Sequence, residues 1–115
     1  MRISEESVLL RVFIGESDRV HGQPLYERIV MHARELDLAG ATVTRGIMGF
    51  GADSRMHSTK LLALSGDLPV VVEIVDAESK VEQLLPFLDD EIQEGLVTLE
   101  PVRVIKYRHS GSKHA

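Results

Sequence analysis

The sequence predicts an α+β domain in the order βαββαβ, an antiparallel sheet carrying two helices on one face. Three observations set this order. Two short apolar runs rich in branched residues lie at 8–14 and 70–75, and two segments of helical periodicity, 25–36 and 81–92, follow them in turn. Turn-forming residues, Gly15, Gly22, Gly40, Gly66, Pro69 and Gly95, fall between the periodic segments.

The first run, Val8-Leu9-Leu10-Arg11-Val12-Phe13-Ile14, closes at Gly15 and reads as a mostly buried strand. Residues 16–23 are polar and include Gly22, so the chain turns there. Pro24 suits the first turn of a helix, where its missing N–H costs nothing, and Leu25, Ile29, Ala33 and Leu36 continue at helical spacing. Leu38-Ala39-Gly40 ends that helix, and Ala41-Thr42-Val43-Thr44 begins a second strand. Residues 46–58 hold three glycines and no sustained period, which predicts a long loop, with 60–65 as a returning extended segment. Pro69 opens Val70-Val71-Val72-Glu73-Ile74-Val75, a run suited to the centre of the sheet. Asp76 stands at a natural N-cap, and Val81, Leu84, Leu85, Leu88 and Ile92 predict a second helix, kinked by Pro86, that runs to Gly95. Residues 96–99 and 102–107 complete the sheet as short strands, and 108–115 are expected to fray.

This order is the split βαβ arrangement of a ferredoxin-like fold, one domain over 1–115 with its core in 7–107. With both helices on one face, the other sheet face is bare, and an apolar bare face predicts an oligomer interface.

Composition narrows the function. The chain has 115 residues, 43% of them hydrophobic and 27% charged, which is globular composition. It has no apolar run long enough to span a bilayer and no signal-peptide pattern after Met1, so a cytoplasmic location without membrane insertion is expected. The absence of cysteine excludes disulfides, thiolate metal sites and cysteine nucleophiles. A net charge of -5 argues against general nucleic-acid binding, and Phe13, Phe50, Phe87, Tyr26 and Tyr107 are too scattered for a base-stacking platform. Eight acids and one base, Lys80, lie between Asp76 and Glu100. Positive charge gathers instead at Arg45, Arg55 and Lys60, and again at Arg103, Lys106, Arg108 and Lys113, which suits a small anion and equally a solvated surface.

Gly46-Ile47-Met48-Gly49-Phe50-Gly51 has glycines that let backbone N–H groups approach an anion. Its spacing reverses the dinucleotide fingerprint and no helix follows, so neither a Rossmann nor a Walker site is indicated, and a hairpin with glycines at positive φ accounts for the same residues. Arg55, His57 and Lys60 are candidates for charge-assisted bonds to phosphate. Phe50 either closes over a ligand, packs on a neighbour or anchors the hairpin. Ser17, Asp18 and His21 share a loop without a nucleophile elbow, and Ser58 beside His57 is adjacency rather than geometry, so no catalytic set is assigned. His21, His32, His57, His109 and His114 show no metal-ligand spacing, and no metal is assigned. His32, near the apolar stripe of the first helix, reads as a structural imidazole.

Leu38-Ala39-Gly40-Ala41-Thr42-Val43-Thr44, then Gly49-Phe50-Gly51, and Leu68-Pro69-Val70-Val71-Val72-Glu73-Ile74-Val75 resemble the PII signal-transduction family at its second and third strands. The chain is similar, more closely still, to a group of small PII-like proteins of bacteria and archaea. The shared residues are Gly15-Glu16-Ser17-Asp18, His21-Gly22, Pro24-Leu25-Tyr26, Arg45-Gly46-Ile47-Met48-Gly49-Phe50-Gly51 and Ser54-Arg55-Met56-His57-Ser58. The resemblance implies a homotrimer of ferredoxin-like subunits that is not an enzyme, with an adenine nucleotide in the clefts between subunits at the base of a mobile loop, here 46–60. It implies Gly40 and Thr42 near the adenine and backbone contacts from Val75. It also implies a loop starting at Gly49-Phe50-Gly51, and phosphate contacts from Arg103, Lys106 and Arg108.

The chain departs from PII at three points. Gln93-Glu94-Gly95-Leu96 stands where PII has a glycine- and lysine-rich phosphate loop, Pro69 replaces a lysine, and the mobile loop has no tyrosine to modify. AMP or ADP is therefore expected rather than a triphosphate, with Arg45, Arg55 and His57 replacing the lost phosphate contacts and Gly46 counted among the nucleotide-binding residues. The expected output is an ordering of the loop that engages a protein partner such as a membrane transporter or channel. The alternative is a metal-binding or enzymatic trimer like the copper-tolerance family CutA, with Asp18, His21 and His57 meeting across a subunit boundary.

Overall fold

The computed structural model describes residues 6–52, 55–58, 67–108 and 110, and of His57 the backbone alone. The extended segment expected at 60–65, together with Lys60, His109, Lys113 and His114, lies outside the described residues. In chain order the elements are β1 (Glu6–Gly15), β2 (Arg19–Val20), β3 (Gln23–Pro24), α1 (Leu25–Glu35), β4 (Thr42–Arg45), β5 (Met48–Gly49) and β6 (His57–Ser58). After these come β7 (Pro69–Asp76), α2 (Glu78–Glu82), α3 (Leu85–Glu91) and β8 (Leu96–Arg103).

The main sheet has the order β4-β7-β1-β8, every neighbour antiparallel. The helical crossover from β1 to β4 leaves room for β7, and the crossover from β7 to β8 leaves room for β1, which is the expected ferredoxin-like βαββαβ topology. Register follows the alternation of apolar residues. Val8, Leu10, Val12 and Ile14 stand opposite Asp76, Ile74, Val72 and Val70, and all eight are buried on one face. Leu25, Ile29 and Ala33 of α1, Val81 of α2, Leu88 of α3 and Leu84 between those two helices complete the cluster on that face. The other face carries Leu9, Arg11 and Phe13 opposite Val75, Glu73 and Val71. Among the described residues no helix covers it, and Phe13 and Leu96 are 37% and 57% exposed.

Helix α1 stops earlier than the Leu38-Ala39-Gly40 signal suggests. Asp37 takes the left-handed conformation at φ 60, Leu38 N–H bonds back to the Ala33 carbonyl at 3.1 Å and Asp37 N–H to that of Arg34 at 3.0 Å. This is a Schellman stop made without glycine. The Lys80 ammonium donates to the Leu36 carbonyl at 3.0 Å, a cation on the negative end of the helix. His21 and Gly22, at φ 52 and 76, form the two-residue turn between β2 and β3.

Three expectations are corrected. The second helix is two, because Pro86 cannot sit in a helix interior; it stands in the first turn of α3, where no N–H is needed, and the chain breaks before it. Asp76 is not the cap of α2, a place taken by Ala77. The two short terminal strands are one, β8, in which Pro101 is tolerated because β8 lies at the sheet edge.

Gly95 fits β8 against β1. A β-carbon there would lie 2.8 Å from the Phe13 carbonyl oxygen and 3.0 Å from Ile14 Cγ2, in a central strand that has no room to retreat. Gly95→Ala is expected to cost about 2 kcal/mol of stability by overpacking, read from urea unfolding. An unchanged midpoint would show that β8 shifts freely.

Candidate functional site

One end of the open sheet face holds a cleft of about 500 Å³. Leu9, Glu73 and Val75 form its floor, and the segment Ala39, Gly40, Ala41 and Thr42 forms one wall. The opposite wall is Val104, Lys106 and Tyr107, from the stretch that follows β8.

That first wall is positioned by the buried Asp76. Its Oδ2 accepts the Ala39 N–H at 2.9 Å and its Oδ1 the Ala77 N–H at 2.7 Å, so one carboxylate ties the segment after α1 to the end of β7. The Tyr107 hydroxyl donates to the Ala39 carbonyl at 2.9 Å. Residues 104–107 therefore cross the end of the open face from β8, over β1 and β7, to the segment beside β4. Beside the floor on the same sheet face, Arg11 has Nε 2.9 Å from Glu73 and Nη1 2.5 Å from Glu100. The bond to Glu73, then that to Glu100, raises the Arg11 pKa above its ordinary value against the opposing effect of desolvation. A carboxylate on the cleft floor is thus matched by a fixed cation. The cleft offers apolar floor area, backbone polar groups along 39–42 and an exposed lysine at the rim.

Of the residues singled out in the sequence, Gly40, Thr42, Val75 and Lys106 line this cleft together. Arg45, Gly46, Gly49, Phe50 and Gly51 do not. Thr42 pairs with Glu73 but Arg45 pairs with Val70, so Arg45 lies about 10 Å farther along the strand at 3.3 Å per residue. There it bonds Glu16. Gly46 N–H bonds the Pro69 carbonyl at 2.7 Å, and β-carbons at Gly46 and Gly49 would lie 2.9 and 3.2 Å from Pro69 Cγ. A hairpin forms here, but neither glycine takes the positive φ expected of it; the close approach of Pro69 is what leaves no room for a β-carbon at either position. Gly49 pairs with His57 across β5 and β6, Gly51 has open space around it, and Phe50 and Arg55 are exposed. Arg103 ends β8 opposite Glu6, and Arg108 is exposed beyond the cleft. Leu9, Ala39, Ala41, Glu73, Val104 and Tyr107 are cleft residues that sequence reasoning did not find.

On the helix face, a second depression of about 490 Å³ lies between β3, α1 and α3. His32 stacks on Phe87 there at 4.1 Å between ring centroids, which gives the imidazole a packing role. Among the described residues no three histidine or acidic side chains converge as a metal-ligand set.

Residues 7–104 match the DUF190 family, described as "Uncharacterized ACR, COG1993". The chain belongs to this family. A UPF0166 protein of Aquifex aeolicus is 41% identical over 105 residues, 91% of this chain and 98% of the relative. A UPF0166 protein of Methanocaldococcus jannaschii is 31% identical over 99 residues, 85% of this chain and 91% of the relative. In architecture the DUF190 chain is similar to CPII, a nitrogen regulatory PII-like protein of Thiomonas intermedia solved bound to ADP, AMP and bicarbonate. That similarity has a TM-score of 0.64 and 17% identity over 88% of this chain and 90% of CPII. The fold is therefore that of PII-like proteins.

Proposed function

We propose that this DUF190 chain is a non-enzymatic, cytoplasmic regulatory protein. It assembles as a homotrimer, binds AMP or ADP at subunit interfaces, and signals through residues 46–60 to a protein partner such as a membrane transporter or channel. The observation that carries the reading is the convergence of Gly40, Thr42, Val75 and Lys106 on one cleft of about 500 Å³, a size suited to a mononucleotide. The apolar side chains of Leu9 and Val75 on its floor suit a base and its lysine a phosphate. The nucleotides in CPII, which shares the fold, support the same reading.

A trimer answers two features of the single chain. The bare sheet face, with Phe13 and Leu96 exposed, gains a cover. Arg103 and Arg108 do not line their own cleft, and a neighbouring subunit's cleft gives them a phosphate to bind. Arg45 completes the site by exchanging Glu16 for the ligand's phosphate, which couples occupancy to the start of the loop.

Isothermal titration calorimetry of the purified protein with AMP, ADP, ATP and cyclic AMP tests the proposal, with Lys106→Ala in parallel. The expected result is micromolar binding of AMP or ADP, weakened about tenfold in the variant, the usual worth of one charge-assisted contact. No heat from any of the four removes the nucleotide reading.

A further inference from the structure

The two walls of the cleft are held in different ways. Ala39 is gripped at its N–H by Asp76, a side chain 4% exposed within the folded core. It is gripped at its carbonyl by Tyr107, which lies beyond the last strand. The segment around that bond is largely exposed: Ile105 is 82% exposed and Lys106 and Arg108 are exposed, with half-buried Val104 and Tyr107 facing the sheet. A wall formed by a mostly exposed segment opens at lower cost than one tied to the buried core.

We propose that Tyr107 is a positioning residue, a clasp whose hydroxyl bond to Ala39 sets residues 104–108 across the sheet as the movable wall of the cleft. Opening of this bond admits the ligand, and a bound ligand, by filling the cleft between the walls, holds the clasp shut. Its action on a ligand rests on the nucleotide reading above; the clasp itself does not.

Trypsin reads the clasp at the Lys106–Tyr107 bond, which enters the protease as an extended segment only when Tyr107 leaves the sheet. The full chain, Tyr107→Phe and Tyr107→Ala are digested without ligand, and loss of the C-terminal fragment is timed by mass spectrometry. Tyr107→Phe keeps the ring and removes only the hydroxyl, so its fragment is expected to leave about fivefold faster, the effect of one ordinary hydrogen bond, with an unchanged melting midpoint. AMP at saturation is expected to slow cleavage of the wild-type chain and to bind Tyr107→Phe about fivefold more weakly. Equal cleavage rates for wild type and Tyr107→Phe overturn the proposal, as does an effect confined to Tyr107→Ala, which would assign the wall to packing. Faster cleavage of Tyr107→Phe with no heat from any nucleotide supports the clasp and rejects the nucleotide reading.

Discussion

Arg28→Ala is expected to destabilise the protein by about 3 kcal/mol, because it strands a buried carboxylate. The Glu91 side chain is 7% exposed and that of Arg28 22%, so water screens neither well. Arg28 Nε lies 2.6 Å from Glu91 Oε1, Nη2 contacts the same oxygen, and Nη1 reaches the Gln23 side chain at 2.9 Å. Its guanidinium also lies over the Phe87 ring, 6.0 Å from the centroid. One side chain thus joins β3, α1 and α3 on the helix face. The pair itself contributes little, since the attraction is offset by the desolvation of two ions, and the loss comes from removing one partner. Arg28→Met combined with Glu91→Leu is therefore expected to recover most of the loss. Urea unfolding at one fixed protomer concentration checks both, because self-association changes apparent stability. A single variant as stable as the wild type would mean that Glu91 finds water or another donor.

Much of the fold was legible because burial wrote itself into alternation. Val8, Leu10, Val12 and Ile14 at every second position, answered by Val70, Val72 and Ile74, give two strands with one core face. Leu25, Ile29 and Ala33 give the first helix its stripe. What escaped was set by interactions distant in sequence. Asp76 has the residue type and place of a helix cap, yet its carboxylate turns to the Ala39 N–H, a choice visible only once β7 ends beside the segment after α1. The stop at Asp37 escaped because a Schellman turn usually carries glycine or asparagine, and Gly40 offered a stronger local signal three residues on.

The site was legible in part for a related reason. Gly40, Thr42 and Val75 were found through the resemblance, and the sheet brings them together because β4 and β7 are neighbours. Glu73 went unassigned, since in a strand it reads as an exposed polar position until Arg11 is seen beside it on the open face. Tyr107 went unassigned because residues 104–107 continue past the edge strand and double back over the sheet, and nothing in their pattern encodes that reversal. The glycines at 46 and 49 suggested a phosphate cradle, but their proximity to Pro69 explains them without an anion.

Asp76 joins fold and site in one side chain. Asp76→Ala is expected to cost about 3 kcal/mol, because the Ala39 and Ala77 N–H groups both lose their acceptor in a place where a side chain is only 4% exposed. Asp76→Asn separates this cause from simple loss of volume. An asparagine has one acceptor oxygen, and whichever donor it satisfies, its NH₂ group faces the other N–H, so the substitution is expected to be nearly as costly as alanine. The effect on the cleft is also distinct from that of losing Tyr107. Without Asp76 the Ala39-Gly40 end of that segment loses its side-chain tie to β7, leaving only the pairing that begins at Thr42, so both stability and nucleotide affinity should fall, whereas Tyr107→Phe should lower affinity with the melting midpoint unchanged. Thermal unfolding and calorimetry of the two variants side by side make the comparison. If Asp76→Asn retained wild-type stability, a single bond to Ala39 or Ala77 would suffice, and the two-point tie between α1 and β7 would have to be abandoned.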